Sequence, residues 1–415
     1  MSVSANGDRN SYAVALGSLF IFFSAMSFSV YMPFMQSRRD ALGCDAFCQG
    51  GMTSLRSSLT LAGASLIGRA SDHFGRIPML WLGSMASMLG IAIAATMNTL
   101  TGLWISIVPG ALLNHNYGVT KALVSNYIND RGGADVDRAG AVGKLGMAIG
   151  FCFMAGPLLS TTLTSNFQQA LALSFVVTLL STGILFILPK PLTSSENADA
   201  KPASIGLRAF LTLPVLRMRG AQLLMCVRLL MAFAFHMFLP IWQVSVKNRF
   251  NFGPKDHAKF MGLVGLSYAL SQGLVAKPLI KRMGQDPTKL LLVCILLLGG
   301  GRPFAYYTTS LKLVYALYVF MVIALGVMNT AITTACSNLA SQDQLGGFIG
   351  VLESVESIAG IIGPSLGGLL AKLDGVGDKV ALGAVIACYG VAFWLVALFF
   401  RKHVVDAGGE DKKQA

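Results

Sequence analysis

Charge is what this chain has least of. Only 12% of its 415 residues are Asp, Glu, Lys or Arg, while 54% are hydrophobic. A soluble domain is typically about 25% charged, so this chain has too little polar surface to live in water. It also lacks a Walker-type loop and an H-E-x-x-H pair, which excludes the common designs of ATP-driven pumps and zinc hydrolases. GAVGKL, at 140–145, has a Gly-Lys, but the upstream spacing is wrong and no Ser or Thr follows. Metal-ligand spacing is absent, so no metal and no cofactor are expected. The N-terminus MSVSANGDRN shows no short apolar core with a small-residue cleavage site, and no N-x-S/T acceptor occurs anywhere.

What is present is a succession of apolar stretches, each about 20 residues long, the length that crosses a bilayer core as a helix. Twelve spans are expected, at roughly 12–35, 50–70, 77–97, 101–128, 138–163, 167–189, 219–244, 258–281, 289–308, 311–338, 346–371 and 380–400. The fold class is therefore an all-α polytopic membrane protein. The net charge of +13 is scattered over short connections and points to lipid headgroups and orientation, not to nucleic acid. Lys and Arg are in excess on the side that holds both termini, which reads as cytoplasmic. Five of the seven cysteines lie in apolar runs. Cys44 and Cys48 fall in a connection and are read as free thiols at the start of the second helix, with a bridge the alternative if that loop faces an oxidising compartment.

The chain repeats itself. YMPFMQ ends the first span and FLPIWQ the seventh, so Pro33 and Gln36 match Pro240 and Gln243 at an offset of 207. Gly156–Pro157 in span five and Gly363–Pro364 in span eleven keep the same offset, and Ser125 and Ser337 are 212 apart. Duplicated six-helix bundles follow. The expected organisation is a cytoplasmic tail (1–10), an N-terminal bundle (11–190), a cytoplasmic linker (191–217), a C-terminal bundle (218–401) and a cytoplasmic tail (402–415).

GRASDHFGRIP, residues 68–78, follows the second span. Its Gly68, Asp72, Gly75 and Arg76 resemble the G-x-x-x-D-x-x-G-R signature of the major facilitator superfamily. The Gly-Pro elements, with Gly150, Gly156, Pro157, Gly363 and Pro364, resemble that superfamily's antiporter motif. The run Arg138–Pro157 is similar to its tetracycline-antiporter and orphan organic-cation-transporter-like branch. The resemblance implies two pseudo-symmetric six-helix bundles, transport by alternating access, and helices 1, 4, 7 and 10 around a central cavity. It makes Asp72 a conformational latch against the start of span eleven near Gly346 and Gly347, supported by Arg76. The sequence departs from the family where Lys281 stands for the second-half aspartate, where span four lacks a buried arginine, and where Ser160 and Thr161 replace two glycines.

Ionisable groups inside spans are costly and mark cavities or partners. Asn114, His115 and Asn116 in span four, Arg228 and His236 in span seven, Arg56 in span two and Asn329 in span ten are the substrate-binding candidates. Their cationic lean favours an anionic or zwitterionic solute. Arg302, near an outer end, is expected to snorkel to the interface. Glu353 and Glu356 share one helix face. Three readings are open for them: a proton carrier with a raised pKa, a gate ion pair with Lys121, or solvated residues at the cytoplasmic end. Three functions fit: a proton-coupled exporter of small organic solutes with antiport favoured, an organic-anion carrier without proton coupling, or a receptor that kept the fold. The expected partners are a small organic solute, protons and the bilayer, with the chain a monomer.

Overall fold

The computed structural model describes residues 2–129, 135–189, 214–283, 286–339, 342–373 and 377–406. Among them every regular element is helical, as a lipid environment demands of any spanning segment that is not a closed barrel. The helices are α1 (Ser2–Ala41), α2 (Ala46–Phe74), α3 (Arg76–Thr96), α4 (Leu100–Leu113), α5 (Asn116–Asn129), α6 (Asp135–Leu163), α7 (Phe167–Ile184), α8 (Arg219–Phe250), α9 (Pro254–Leu270), α10 (Ala276–Met283), α11 (Thr288–Tyr307), α12 (Leu311–Leu339), α13 (Gln342–Leu370) and α14 (Gly377–Leu395).

Eight helices among the described residues are long and apolar enough to cross a membrane. The other four expected spans coincide with α2, with α4 and α5 together, with α9 and α10 together, and with α13. These are the interrupted or polar helices. A π-helical turn, Ser271–Val275, separates α9 from α10, α2 carries Arg56, and α13 carries Glu353 and Glu356. The stretch 101–128, expected as one helix, is broken between Leu113 and Asn116.

The chain divides into two compact units. The first comprises Met1–Gly43, Leu59–Ala203 and Gly253–Leu266, and the second Cys44–Ser58, Ser204–Phe252 and Ser267–Ala415. In the first, α1 packs along α6 and α7. Its apolar core includes Phe20, Ile21, Leu80, Leu123, Tyr127 and Leu145. Without water to drive association, helices in lipid rely on close packing and on polar side chains that bond across the contact. Ser174 donates from Oγ to the Ser27 carbonyl at 2.7 Å, and Ser181 to the Phe20 carbonyl at 3.2 Å.

In the second unit α8 takes the central place and packs along α13 and α14. Here the internal repeat becomes geometry. A Cβ on Gly156 would lie 1.9 Å from Ser29 Oγ, and one on Gly363 would lie 2.8 Å from His236 Cβ. Ser29 and His236 are themselves 207 residues apart, as Gly156 and Gly363 are. The α1–α6 and α8–α13 contacts are thus the same contact made twice. One turn further along α13, a Cβ on Gly367 would sit 2.2 Å from the Met237 carbonyl oxygen.

The start of α2 belongs to the second unit and lies on the end of α13. Ser365 donates to Ser54 at 2.8 Å, and Lys372 pairs with Asp45 at 2.9 Å. Burial pushes the Asp45 carboxyl up, but the Cys48 backbone N–H and Lys372 outweigh it and hold the group below its ordinary value. Cys44 and Cys48 are joined in a disulfide. The bridged alternative therefore replaces the free-thiol reading. One turn of helix with its preceding residue brings the two Cα atoms to 5.3 Å, inside the range a disulfide requires.

Gly75 joins α2 to α3 with φ +91° and ψ 161°, backbone that only glycine adopts without strain. The signature glycine at this position is thereby explained by the turn itself.

Gly367 and Gly383 give a paired test of the α8–α13 contact, because nothing lies within 4 Å of a Cβ at Gly383. Gly367→Ala is expected to cost about 1–3 kcal/mol through overpacking, read as a lower apparent melting temperature of the detergent-solubilised protein. Gly383→Ala, which gains helix propensity, is expected to leave it unchanged or raise it. Equal melting temperatures for the two variants would contradict the contact.

Candidate functional site

Two polar constellations interrupt the apolar interior, one in each unit. In the first unit the break between α4 and α5 is made by asparagines. Side chains of this type offer the backbone an alternative partner to the helix ladder. Asn114 Oδ1 accepts from the Asn116 backbone N–H at 3.2 Å, and the Asn114 amide donates to Ser87 Oγ. The Asn116 amide donates to Ser84 Oγ at 3.3 Å. A Cβ on Gly83 would stand 2.2 Å from Asn116 Oδ1, so α3 presents a small-residue, hydroxyl-bearing face to the break. Both asparagines are thus committed to α3. His115 turns the other way, against Gly63 of α2 and near the Leu112 carbonyl. Its Nε2 is buried and has no hydrogen-bond partner among the described residues.

In the second unit Arg228 projects from α8 between α12 and α13. One arm of its guanidinium donates to Asn329 Oδ1 at 2.5 Å, and the other to the Glu356 carboxylate. The planar fork of arginine suits such divided recognition. The pair is half-buried, with 22% of the Arg228 side chain and 44% of the Glu356 side chain exposed. His236 lies two turns along α8 from Arg228, packed against Gly360 and Gly363 of α13 and within electrostatic reach of Glu356. Its Nδ1 has no hydrogen-bond partner among the described residues.

This arrangement answers part of the expectation and reshapes the rest. Arg228, His236, Asn329 and Glu356 do come together. The charge of Arg228, however, is balanced by Glu356, so this part of the interior is not simply cationic. Glu356 takes Arg228 as its ion-pair partner, while Lys121 lies 4.6 Å over the Tyr117 ring. Glu353 is exposed one turn earlier on α13, and Arg56 is exposed on α2. The backbone of the signature loop is braced by Arg76 donating to Ser71, which donates to the Gly68 carbonyl at 2.8 Å. The Asp72 side chain and its expected partners at Gly346 and Gly347 fall outside the described side chains.

Arg302 does not snorkel. It is 5% exposed on α11, enclosed by the rings of Phe235 at 5.6 Å, Phe238 at 5.7 Å and Tyr389 at 4.7 Å. The expectation failed because α11 turns this face inward, where the side chain cannot reach the interface. Each cation–π contact contributes about 2 kcal/mol or more when desolvated, against an effective burial penalty of several kcal/mol.

Comparison of the repeats would have singled out the central pair. At the offset of 207, Arg228 and Glu356 correspond to Ile21 and Ile149, both in or against the apolar core of the first unit. Two opposite charges that replace two isoleucines on contacting helices are a coupled change. That signal was present in the sequence.

The helical architecture and these intramembrane charges define a polytopic membrane transporter. The family model of the Major Facilitator Superfamily matches residues 17–301 and 225–415, and the chain belongs to that family. It is 26% identical over 364 residues to the class G tetracycline resistance protein of Vibrio anguillarum, covering 86% of this chain and 89% of that protein. It is 25% identical over 386 residues to the major facilitator superfamily domain-containing protein 10 of Mus musculus, covering 87% and 80%. Among solved structures, the human organic anion transporter MFSD10 (TETRAN) superposes with a TM-score of 0.69 over 93% of this chain and 99% of that chain, at 19% identity. That likeness establishes the fold.

The ion pair can be tested by a double-mutant comparison. Glu356→Leu leaves Arg228 uncompensated and, given the partial exposure, is expected to cost about 1–2 kcal/mol. Arg228→Leu with Glu356→Leu should recover at least half of that loss in the melting temperature. Additive losses would show that the two groups are not energetically coupled.

Proposed function

We propose that this chain moves a small zwitterionic organic solute across its membrane by alternating access, in exchange for protons. The observation that carries the reading is the Arg228 guanidinium forked between Asn329 and Glu356. A carboxylate in this position has two competing claims on it. It can take a proton, or it can stay ionised and hold a cation. A zwitterionic solute that enters the pair offers its anionic end to Arg228 and Asn329 and its cationic end to Glu356. Solute and proton then exclude one another at Glu356, which is the requirement for antiport. His236, and His115 in the other constellation, supply further polar contacts. The antiporter-like Gly-Pro elements keep α6 and α13 close to α1 and α8, and the Gly68–Arg76 loop serves as the conformational latch. The linker 191–217 joins the two six-helix halves in this reading.

The names of the relatives divide on the solute, one being a tetracycline resistance protein and one an organic anion transporter. A second reading, an organic-anion carrier without proton coupling, draws on the same guanidinium, which binds carboxylates in a bidentate fashion. A receptor of the same fold is the third. We infer that both termini lie on the cytoplasmic side. The Cys44–Cys48 disulfide supports this, since it lies in the first connection after α1 and such bonds persist in oxidising compartments.

Purified protein in liposomes with an internal pH dye separates these readings. Zwitterionic solutes should move protons opposite to their own flux, and Glu356→Gln should abolish that proton movement and cut gradient-driven uptake at least tenfold. Solute–solute exchange should survive the substitution. Anion flux without proton movement, unchanged by Glu356→Gln, would establish the second reading, and binding without flux the third. After reduction, a membrane-impermeant maleimide should label Cys48, the more accessible of the two, from the outer face of intact cells that carry the protein in the plasma membrane. Labelling only after permeabilisation would reverse the topology.

A further inference from the structure

Arg302 is a full positive charge with no described carboxylate in hydrogen-bond contact, and one of its terminal nitrogens, Nη1, is buried without a hydrogen-bond acceptor among the described residues. Arg228, by contrast, has both arms engaged. The surroundings of Arg302 are built from four helices of the second unit. Phe235 and Phe238 come from α8 and Tyr389 from α14, each with its ring turned to the guanidinium. Tyr318 of α12 lies within electrostatic range of the charge. The Gly299–Gly301 triplet of α11 lets these walls close in. A Cβ on Gly299 would meet Tyr389 Cβ at 2.8 Å, and one on Gly301 would meet Met321 Sδ at 2.7 Å. The first-half counterpart of Arg302, 207 residues upstream, is Ala95. The charge is therefore not part of the duplicated scaffold.

A buried cation needs an anionic partner, and ring faces supply attraction but no hydrogen-bond acceptor of ordinary strength. We propose that the unpartnered Nη1 edge of Arg302, whose faces the rings cover, binds a halide-sized monovalent anion, with chloride the physiological candidate. The enclosure argues for a small ion over a solute carboxylate, because a side chain only 5% exposed leaves a bulky group no approach. Guanidinium is weakly hydrated and presents several N–H donors in one plane, which suits large, polarisable anions. The bound anion would tie α11 to α8, α12 and α14, so its occupancy would set how these helices pack. The site is separate from the Arg228–Glu356 pair and does not depend on the solute assigned above.

Trp242 stacks on Phe238 at 5.6 Å and lies 4.8 Å from Tyr318, which makes it an optical reporter one ring away from the site. Purified full-length protein in detergent would be titrated with chloride against gluconate at constant ionic strength, reading melting temperature and tryptophan fluorescence. The expected result is a saturable rise of a few degrees in chloride, absent in Arg302→Gln and retained in Arg228→Lys. Iodide should quench a fluorescence component that is missing in Trp242→Phe, and chloride should compete with that quenching. Identical behaviour in chloride and gluconate would overturn the proposal, as would a chloride response that persists in Arg302→Gln. A response to formate or acetate with none to chloride would also overturn it, assigning the guanidinium to a carboxylate ligand. Should Arg302→Gln fail to fold, the iodide experiment on the wild-type and Trp242→Phe proteins decides. Quenching of Trp242 without chloride competition would then reject the site.

Discussion

A bilayer interior offers polar groups no solvent, and each feature of this chain answers that constraint. Backbone groups are satisfied by confining every described element to helix. Serine and threonine hydroxyls turn back onto their own helix carbonyls, as Ser84 does to Leu80, or across a contact, as Ser174 does to Ser27. Where a helix is broken, at Asn114 and His115, side-chain amides and the serines of α3 repair the lost ladder. Where a charge is placed, it finds a counter-charge, as Arg228 finds Glu356, or is walled by rings, as Arg302 is. Apolar burial alone cannot hold such helices together, since lipid is as apolar as they are. Glycine at the contacts carries that burden instead.

The duplicated contact shows how the scaffold and the site were separated. Gly156 on Ser29 and Gly363 on His236 preserve one packing solution in both units. Within that shared frame the two units differ in chemistry. The first fills its interior with residues such as Ile21 and Ile149, while the second places Arg228 and Glu356 at the matching positions. A glycine-packed contact tolerates this because the backbones, not the side chains at those positions, set the helix separation. Charges can then be placed in one unit without dismantling the fold of either.

Membership of the Major Facilitator Superfamily accounts for the helical architecture, the signature loop and the Gly-Pro elements. The forked Arg228, the broken fourth span and the ring-walled Arg302 lie outside the signature loop and the Gly-Pro elements. In the function proposed here, protons and charged solutes compete for one carboxylate, that of Glu356. The site proposed at Arg302 answers to anions alone. The molecule therefore holds two electrostatic elements of different kinds in one unit.

The membrane class, the spans, the repeat and the family signature were legible in the residues, because lipid imposes a length and an apolarity that any spanning helix must show. The need for glycine at Gly75 was visible as a motif, and its physical cause, a positive φ, only in the backbone. Pairing was not legible. The spacing of Arg228 and His236 placed them on one face of a helix but could not say that Glu356 would neutralise the arginine, since that depends on how α13 docks on α8. Likewise Asn114 and Asn116 read as cavity residues, whereas the hydroxyls of Ser84 and Ser87 on a neighbouring helix claim them. Arg302 read as an interfacial cation because distance along a span says nothing about which way a helix face is turned. Sequence determined what kind of helices would form and where they would run. Tertiary structure decided which polar groups found one another, because hydrogen bonds and ion pairs act over a few ångströms and those distances are set by helix docking.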